Sequence, residues 1–166
     1  MIVLIGFMGA GKTTVGRLLA AKLGLPFTDS DPVIEERAGK PIRQIFADDG
    51  ESAFRALEHQ VIADLLACPN MVLALGGGAA EHPATRALLV SVPVIYLRVG
   101  YAEAMSRVGA DIGRPMLARP DVTQVYERRQ AAYAAVATIT VDTDGRAPED
   151  IALAILQQYP GDTRVF

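Results

Sequence analysis

Apolar runs alternate with segments of helical periodicity along the whole chain. Continuously apolar runs predict strands near residues 1–5, 26–29, 71–75, 93–98 and 137–142. The segments between them predict helices near residues 12–23, 32–38, 51–67, 83–90, 101–108, 121–135 and 148–158. Strands that are apolar on both faces are typical of a parallel sheet covered by helices. The pattern therefore predicts an α/β fold, a three-layer α/β/α domain with a five-stranded parallel sheet.

Two segments are longer than a plain alternation of strands and helices requires. Residues 31–60 have a helical pattern between two strands, and residues 109–117 form a glycine-bearing loop with Arg114 at its centre. Insertions of this kind can hold a substrate or close over a site and exclude water. We therefore expect a substrate-binding segment at 31–60 and a lid at 109–117, although an ordinary surface loop is the alternative for the second. The core of the single domain 1–166 then comprises residues 1–30, 61–108 and 118–166.

Length, composition and charge narrow the class of protein. A chain of 166 residues with 51% hydrophobic and 21% charged residues is typical of one globular domain. A net charge of −3 gives no electrostatic reason to expect binding to nucleic acid or to a membrane. The single cysteine excludes an internal disulfide, and the N-terminus lacks a signal-peptide pattern, so we expect a cytoplasmic protein. Because no sequence feature marks an exposed apolar interface, we expect a monomer.

A glycine-rich segment follows the first apolar run. Residues 6–13 read Gly-Phe-Met-Gly-Ala-Gly-Lys-Thr and match the G-x-x-x-x-G-K-[ST] pattern of a phosphate-binding loop. Glycines let backbone amides approach phosphate oxygens, Lys12 can reach the β- and γ-phosphates, and the Thr13 hydroxyl can bind Mg²⁺. The segment predicts a nucleoside triphosphate with Mg²⁺, whereas an ordinary glycine-rich turn is the alternative. The other candidate residues of this site are Gly9, Ala10, Gly11 and Thr14.

Candidate acceptor-binding residues follow the next two predicted strands. The second strand ends in Asp29-Ser30-Asp31, and ligands of open α/β sheets bind at the carboxyl ends of the strands. One carboxylate there can hold Mg²⁺ through water, and another can accept the proton of an attacking hydroxyl. Asp31 precedes Pro32, so it is also a good candidate for a helix N-cap. The run Gly76-Gly77-Gly78 indicates close approach of the backbone to a ligand, with a tight turn as the alternative.

Two arginines are candidates for anion binding. Arg55 and Glu58 are three residues apart on the polar side of a predicted helix and can pair, which by itself indicates a solvated face. Arg129 lies on the apolar stripe of the 121–135 helix. An inward arginine needs an anionic partner, and its guanidinium matches a carboxylate. A snorkelling surface arginine is the alternative at this position.

Together these motifs resemble the shikimate kinase family, which belongs to the nucleoside-monophosphate-kinase-like group of phosphate-loop folds. The resemblance covers nearly the whole chain through GFMGAGKTTVGRLLA, FTDSD, IFADDGESAFRALE, ALGGGA, GRPML and VDTDGRAPEDI. It implies an enzyme that transfers the γ-phosphoryl group of ATP to the 3-hydroxyl of shikimate, a step of aromatic amino acid biosynthesis.

The resemblance also implies residue roles on the nucleotide side. Lys12 would be catalytic, and Arg114 would act on the transferring phosphate from the lid. Thr13 and Asp29 would hold Mg²⁺, the latter through water. The adenine would be flanked by Arg107, Arg146 and Pro148.

On the acceptor side, the resemblance makes Asp31 the catalytic base and a ligand of the shikimate hydroxyls. Arg55 and Arg129 would grip the shikimate carboxylate, and Glu58 would orient Arg55. The remaining shikimate-binding residues would be Ile42, Phe46, Phe54, Gly76, Gly77 and Gly78.

The chain departs from the family pattern at two places. Residues 129–133 read Arg-Gln-Ala-Ala-Tyr where the family usually has Arg-x-Pro-Leu-Tyr, and Met116 stands where leucine is more common. The first departure removes a proline that shapes the helix beside Arg129. Two alternative functions are a kinase for another small hydroxy acid, such as gluconate, and a non-catalytic nucleotide-binding relative. The second would be expected to have lost Lys12, Asp31 or an arginine, and all of them are present.

Overall fold

A parallel sheet forms the centre of the molecule, of which the computed structural model describes residues 1–68, 70–109 and 121–159. Its strand order is β2-β3-β1-β4-β5, and every neighbouring pair is parallel. The strands are β1 (Ile2–Ile5), β2 (Phe27–Asp29), β3 (Val72–Ala74), β4 (Val94–Arg98) and β5 (Ile139–Asp142). Each lies within the run predicted for it, and helices cover both faces of the sheet. The predicted α/β fold with a five-stranded parallel sheet is confirmed.

Helices connect the strands, and each lies close to a predicted one except Ile42–Asp48, which falls in the helical segment 31–60 but was not predicted as a separate helix. They are α1 (Lys12–Leu23), α2 (Ser30–Ala38), α3 (Ile42–Asp48), α4 (Gly50–Ala67), α5 (Pro83–Leu89), α6 (Tyr101–Val108), α7 (Val122–Val136) and α8 (Pro148–Gln158). A 3₁₀ turn at Ala79–Glu81, which the sequence reading did not predict, follows β3. In the described part of the chain, no helix is both long and apolar enough to cross a membrane.

Two groups of buried apolar side chains hold these elements together. The larger one surrounds the sheet, and all four residues of β1 are at most 2% exposed within it. The smaller one joins α2, α3 and α4 through Ile34, Ile45, Phe54 and Val61. Segment 31–60 therefore has apolar contacts of its own beside the main core. The predicted lid, including Arg114 and Met116, lies outside the described residues except for Gly109.

The start of α2 differs from the prediction. The helix begins at Ser30, and Asp29 is its N-cap, because Asp29 Oδ1 accepts a hydrogen bond from the Asp31 amide at 3.1 Å. The prediction that Asp31 caps this helix is therefore wrong. Pro32 lies inside the first turn rather than at its first position, and Asp31 precedes it within the same turn.

Candidate active site

The predicted phosphate loop joins the end of β1 to the start of α1. Its glycines Gly6, Gly9 and Gly11 have φ values of 151°, 77° and 89°, which side-chain-bearing residues rarely adopt. A Cβ atom at Gly9 would also lie only 2.8 Å from the carbonyl oxygen of Ala104. The backbone therefore folds tightly here and leads directly into α1 at Lys12. A helix N-terminus in this position favours binding of an anion.

Lys12 lies against this loop. Its Nζ donates hydrogen bonds to the carbonyl oxygens of Gly6 at 2.8 Å and Phe7 at 3.1 Å. The ammonium charge is thus held beside the loop and the first turn of α1. This position fits the predicted contact between Lys12 and a nucleotide phosphate.

Thr13 and Asp29 connect the loop side of the site to the second strand. Thr13 Oγ1 donates a hydrogen bond to Asp29 Oδ2 at 3.0 Å, while the other oxygen of Asp29 caps α2. Hydroxyl and carboxylate oxygens are ligands that Mg²⁺ takes together with water and substrate phosphates. The two side chains present therefore fit the predicted metal.

A cavity of about 430 Å³ opens beside the loop. Arg107 and Arg146 line it, and backbone carbonyls hold both guanidinium groups. Arg107 donates to Gly9 O at 3.1 Å and to Thr143 O at 2.8 Å, and Arg146 donates to Asp142 O at 3.1 Å. The other predicted nucleotide-site residues on its wall are Gly9, Ala10, Gly11, Thr14 and Pro148. The structure thus gathers the predicted adenine-flanking residues around one cavity that the phosphate loop also lines.

The glycine run after β3 is where the acceptor-side candidates meet. A Cβ atom at Gly76 would lie 2.7 Å from Asp31 Oδ1, and one at Gly77 would lie 3.4 Å from Arg129 Nη1. One at Gly78 would overlap the Arg55 guanidinium. Gly78 has φ −95°, and Gly76 and Gly77 are not among the described glycines with positive φ. The three glycines form a tight turn, in which the Ala79 amide donates to Gly76 O at 3.1 Å, and the close approach of Asp31 and Arg55 also leaves no room for a Cβ atom at Gly76 and Gly78.

Arg55 and Glu58 form an ion pair in which Glu58 is buried and Arg55 is partly buried. Arg55 Nη1 donates to Glu58 Oε2 at 2.6 Å, and Glu58 is only 1% exposed. Burial raises the pKa of Glu58, and the Arg55 guanidinium opposes that rise. The prediction that this pair lies on a solvated face is wrong, because this side of α4 packs towards the glycine run. Glu58 nevertheless holds Arg55 as its predicted role requires.

Arg129 is buried, as its place on the apolar stripe of α7 predicts, and is only 6% exposed. Its Nε donates to Glu81 Oε2 at 2.6 Å, and Arg128 Nε donates to the other oxygen of Glu81 at 2.7 Å. The sequence predicts an anionic partner for Arg129 but does not identify Glu81 as that partner. The available signal was that Glu81 comes three residues after the glycine run. This signal is weak, because exposed acidic residues often have similar neighbours in sequence.

The apolar candidates lie on α3 and α4. Phe54 is buried in the smaller hydrophobic group, and its ring centroid is 4.5 Å from that of Phe46, which is 38% exposed. Ile42 packs against the same group, and the Arg55 guanidinium lies 5.1 Å from the centre of the Phe54 ring. The Phe54 ring therefore lies against the Arg55 guanidinium, and Phe46 packs against Phe54. Arg114, the remaining catalytic candidate, lies outside the described residues.

Comparisons with known proteins agree on one family. A family model described as shikimate kinase matches residues 8–160. Shikimate kinase of Salinispora arenicola is 51% identical over 156 residues, which covers 92% of this chain and 93% of that protein. The structure of Acinetobacter baumannii shikimate kinase in complex with shikimate has a TM-score of 0.88 and 40% identity, and it covers 95% of this chain and 90% of that one. A Sinorhizobium meliloti gluconokinase, at TM-score 0.57 and 21% identity over 95% of this chain and 91% of its own, shares the fold alone.

Proposed function

This chain belongs to the shikimate kinase family and is a kinase that uses ATP, and we propose that it transfers the γ-phosphoryl group to the 3-hydroxyl of shikimate. The observation that carries the proposal is the convergence of Asp31, Arg129 and Arg55 on the glycine run 76–78. One carboxylate and two guanidinium groups there suit a small acid that also carries hydroxyl groups.

The proposed division of labour places the donor on residues 6–13. Backbone amides of the loop and the N-terminus of α1 bind the phosphates, and Lys12 neutralises charge as the phosphoryl group leaves. Mg²⁺, when bound through Thr13 and Asp29, would supply further positive charge at the phosphate oxygens. Arg114 is proposed to add its charge from the lid. Positioning and charge neutralisation supply most of the catalysis in this class of reaction.

On the acceptor side, Asp31 is the proposed base. It lies beside Gly76, and the hydrogen bond from its amide to Asp29 fixes it two residues away from that proposed metal ligand. Its carboxylate accepts the proton of the attacking hydroxyl, while Arg55 and Arg129 bind the substrate carboxylate. Binding the carboxylate at one end and the hydroxyl at the other sets the orientation in which the hydroxyl faces the donor.

We also propose a cytoplasmic monomer whose segments 31–60 and 109–117 bind the substrate and close over it. The separate apolar contacts of α2, α3 and α4 support the first segment as a structural unit. In the described residues, the exposed large apolar side chains Phe46, Val90 and Leu153 lie on different elements, which supports a monomer. Light scattering coupled to size-exclusion chromatography tests the oligomeric state. Hydrogen exchange of residues 109–117 with and without both substrates tests the lid.

A comparison of acceptors tests the proposed function directly. ATP consumption by the purified protein is measured with shikimate and with gluconate as the acceptor, and the phosphorylated product is identified. We expect kcat/KM for shikimate to exceed that for gluconate by at least about 100-fold, because a site built to pair charged and polar groups rejects poorly matched ligands strongly. A preference for gluconate would overturn the proposal. If neither acceptor supports consumption of ATP, the result would favour the non-catalytic alternative.

A further inference from the structure

We propose that Glu81 is a positioning residue that sets the orientation of Arg129 for substrate binding. Glu81 Oε2 accepts a hydrogen bond from Arg129 Nε at 2.6 Å. At the other side of the same guanidinium, Nη1 lies 3.4 Å from where a Cβ atom of Gly77 would stand. Glu81 therefore engages Nε, while a terminal nitrogen faces the glycine run. The inference rests on the proposed function, because it takes the ligand of Arg129 to be the carboxylate of shikimate.

The local sequence does little to orient Arg129 by itself. Residues 130–132 are Gln-Ala-Ala, which bring no backbone restriction to α7. An arginine side chain has about 2 kcal/mol of rotamer entropy, so it binds a planar carboxylate well only when its orientation is fixed beforehand. Contacts from other elements have to supply that orientation. The hydrogen bond that Arg129 donates to Glu81 spans 48 positions in sequence and is such a contact.

Glu81 is itself firmly held. Its amide donates to Gly78 O at 3.0 Å, and its own carbonyl accepts from Arg86 Nη1 at 2.9 Å. Its second carboxylate oxygen accepts from Arg128 Nε at 2.7 Å. The carboxylate is therefore tied to the glycine run through its backbone and to α7 through both of its oxygens. This arrangement couples the position of Arg129 to the glycines that Asp31 and Arg55 also approach.

The charge state of Glu81 suits this role. Burial favours the neutral form, but the hydrogen bonds and charges of Arg128 and Arg129 outweigh it, so the pKa of Glu81 lies below its ordinary value of 4.5. Glu81 is therefore ionised near neutral pH and offers both oxygens as acceptors. Glu58 holds Arg55 in a comparable way, so each of the two arginines has a carboxylate partner.

The test compares the variants Glu81→Gln and Glu81→Ala with the wild-type protein. We expect the KM for shikimate to rise about tenfold or more in Glu81→Ala, because a charge-assisted hydrogen bond that orients the arginine is lost. Glu81→Gln keeps the shape and one acceptor, so a smaller rise is expected. The KM for ATP should stay within about twofold, since Glu81 lies on the acceptor side. Calorimetry with shikimate alone should show the same order of dissociation constants.

Two controls separate positioning from a general effect of charge or folding. Glu127→Gln makes the same charge change on an exposed part of α7, and we expect its KM for shikimate to stay within about twofold of wild type. In an Arg129→Ala background, adding Glu81→Ala should have little further effect on shikimate binding, because the two residues act through one contact. A thermal midpoint measured for each variant establishes that it is folded.

Several results would overturn the inference. An unchanged KM for shikimate in folded Glu81→Ala would show that Arg129 needs no partner. A lower KM would show that Glu81 competes with the substrate carboxylate for Arg129. Equal rises in both KM values, together with a lowered thermal midpoint, would indicate a purely structural role. If the wild-type protein itself fails to bind or phosphorylate shikimate, the proposed function fails and this inference fails with it.

Discussion

The two sides of the candidate site are constructed in different ways. The donor side consists mainly of one continuous segment, residues 6–13, whose shape depends on glycine conformations and on the start of α1. The acceptor side brings together Asp31 of α2, Arg55 of α4, the glycine run after β3 and Arg129 of α7. Carboxylate partners hold both of its arginines. The first is built from backbone shape and the second from charged side chains that separate elements contribute.

This difference assigns separate tasks to the two sides. Backbone amides around a tight loop recognise phosphate oxygens, which all nucleoside triphosphates share. The two arginines of the acceptor side lie on separate helices, which sets the distance and angle between these anion-binding groups. The distance and angle that suit a ligand differ from one acceptor to another. The acceptor side is therefore where selectivity for one small acid is determined. Changes of shape should damage the donor side most, and changes of charge the acceptor side.

The largest predicted effect concerns Asp31. Asp31→Asn keeps the side-chain shape but removes the base, so we expect kcat to fall by about 10²–10⁴-fold. A coupled assay of ADP formation with saturating shikimate and ATP measures the change. Affinity for ATP, measured by calorimetry, should stay close to wild type because the donor side is untouched. Activity near the wild-type level would exclude Asp31 as the base.

The second prediction concerns the two arginines. Arg129→Ala removes one partner of the substrate carboxylate, so the KM for shikimate should rise by about 10–100-fold while that for ATP changes little. Arg55→Ala should behave in the same way. Steady-state kinetics with each substrate varied in turn measures both constants. Equal effects on the two substrates would contradict the separation of the two sides.

The same difference explains which features of the molecule can be predicted from the sequence. The central strands β1, β3 and β4 could be predicted because burial on both faces makes each one a largely continuous apolar run, whereas the edge strands β2 and β5 are only partly buried. The phosphate loop could be predicted because all of its groups lie within residues 6–13. The inward position of Arg129 followed from helical periodicity alone. In each case the signal lies within one element of secondary structure.

Features that depend on packing between elements could not be predicted in this way. Arg55 and Glu58 read as a solvated pair, because the glycine run that covers them comes about twenty residues later in sequence. Glu81 was missed because its contact with Arg129 spans 48 positions. The N-cap of α2 was assigned to Asp31 from the following proline, whereas the side chain of Asp29 accepts the capping hydrogen bond from the Asp31 amide. Tertiary contacts decide the first two cases, whereas the cap is a local choice between two carboxylates, Asp29 and Asp31, that the sequence pattern does not distinguish.

A third prediction compares the two sides by adding one methyl group to a glycine of each. Gly9→Ala places a Cβ atom against the backbone of α6 at a φ of 77°, so the loop must distort. We expect the KM for ATP to rise about tenfold and the protein to lose about 1–3 kcal/mol of stability.

On the other side, Gly78→Ala meets the Arg55 guanidinium, the end of a flexible side chain, at a φ of −95°. The arginine can move aside, so we expect stability within about 0.5 kcal/mol of wild type. The KM for shikimate should rise severalfold, because the displaced guanidinium no longer faces the substrate carboxylate in the same orientation. Thermal unfolding and steady-state kinetics of both alanine variants measure these differences. A change in the ATP constant of Gly78→Ala larger than that in its shikimate constant would contradict the assignment.

The smallest predicted effect is a difference in pH dependence between the two carboxylates that hold the arginines. The pKa of Glu58 is raised in the folded protein, mainly by burial, so its contribution to stability is present below pH 4.5 and is lost as the pH rises through the raised value. The pKa of Glu81 is lowered, so its contribution is present above pH 4.5 and is lost as the pH falls through the lowered value. The two groups therefore act in opposite directions.

Thermal unfolding of the wild-type protein, Glu58→Gln and Glu81→Gln across pH 3.5–7 separates these contributions. Since glutamine does not titrate, Glu81→Gln should lose less stability than wild type on acidification below pH 4.5, by about 1–3 °C in the midpoint. Glu58→Gln should lose less stability than wild type as the pH rises above 4.5. Its thermal midpoint should therefore lie closest to the wild-type midpoint at the acid end of the series. Burial sets the direction of the pKa shift at Glu58, and the paired arginines set it at Glu81. If the thermal midpoints of the two variants changed equally with pH, solvent rather than the arginines would determine the charge of Glu81.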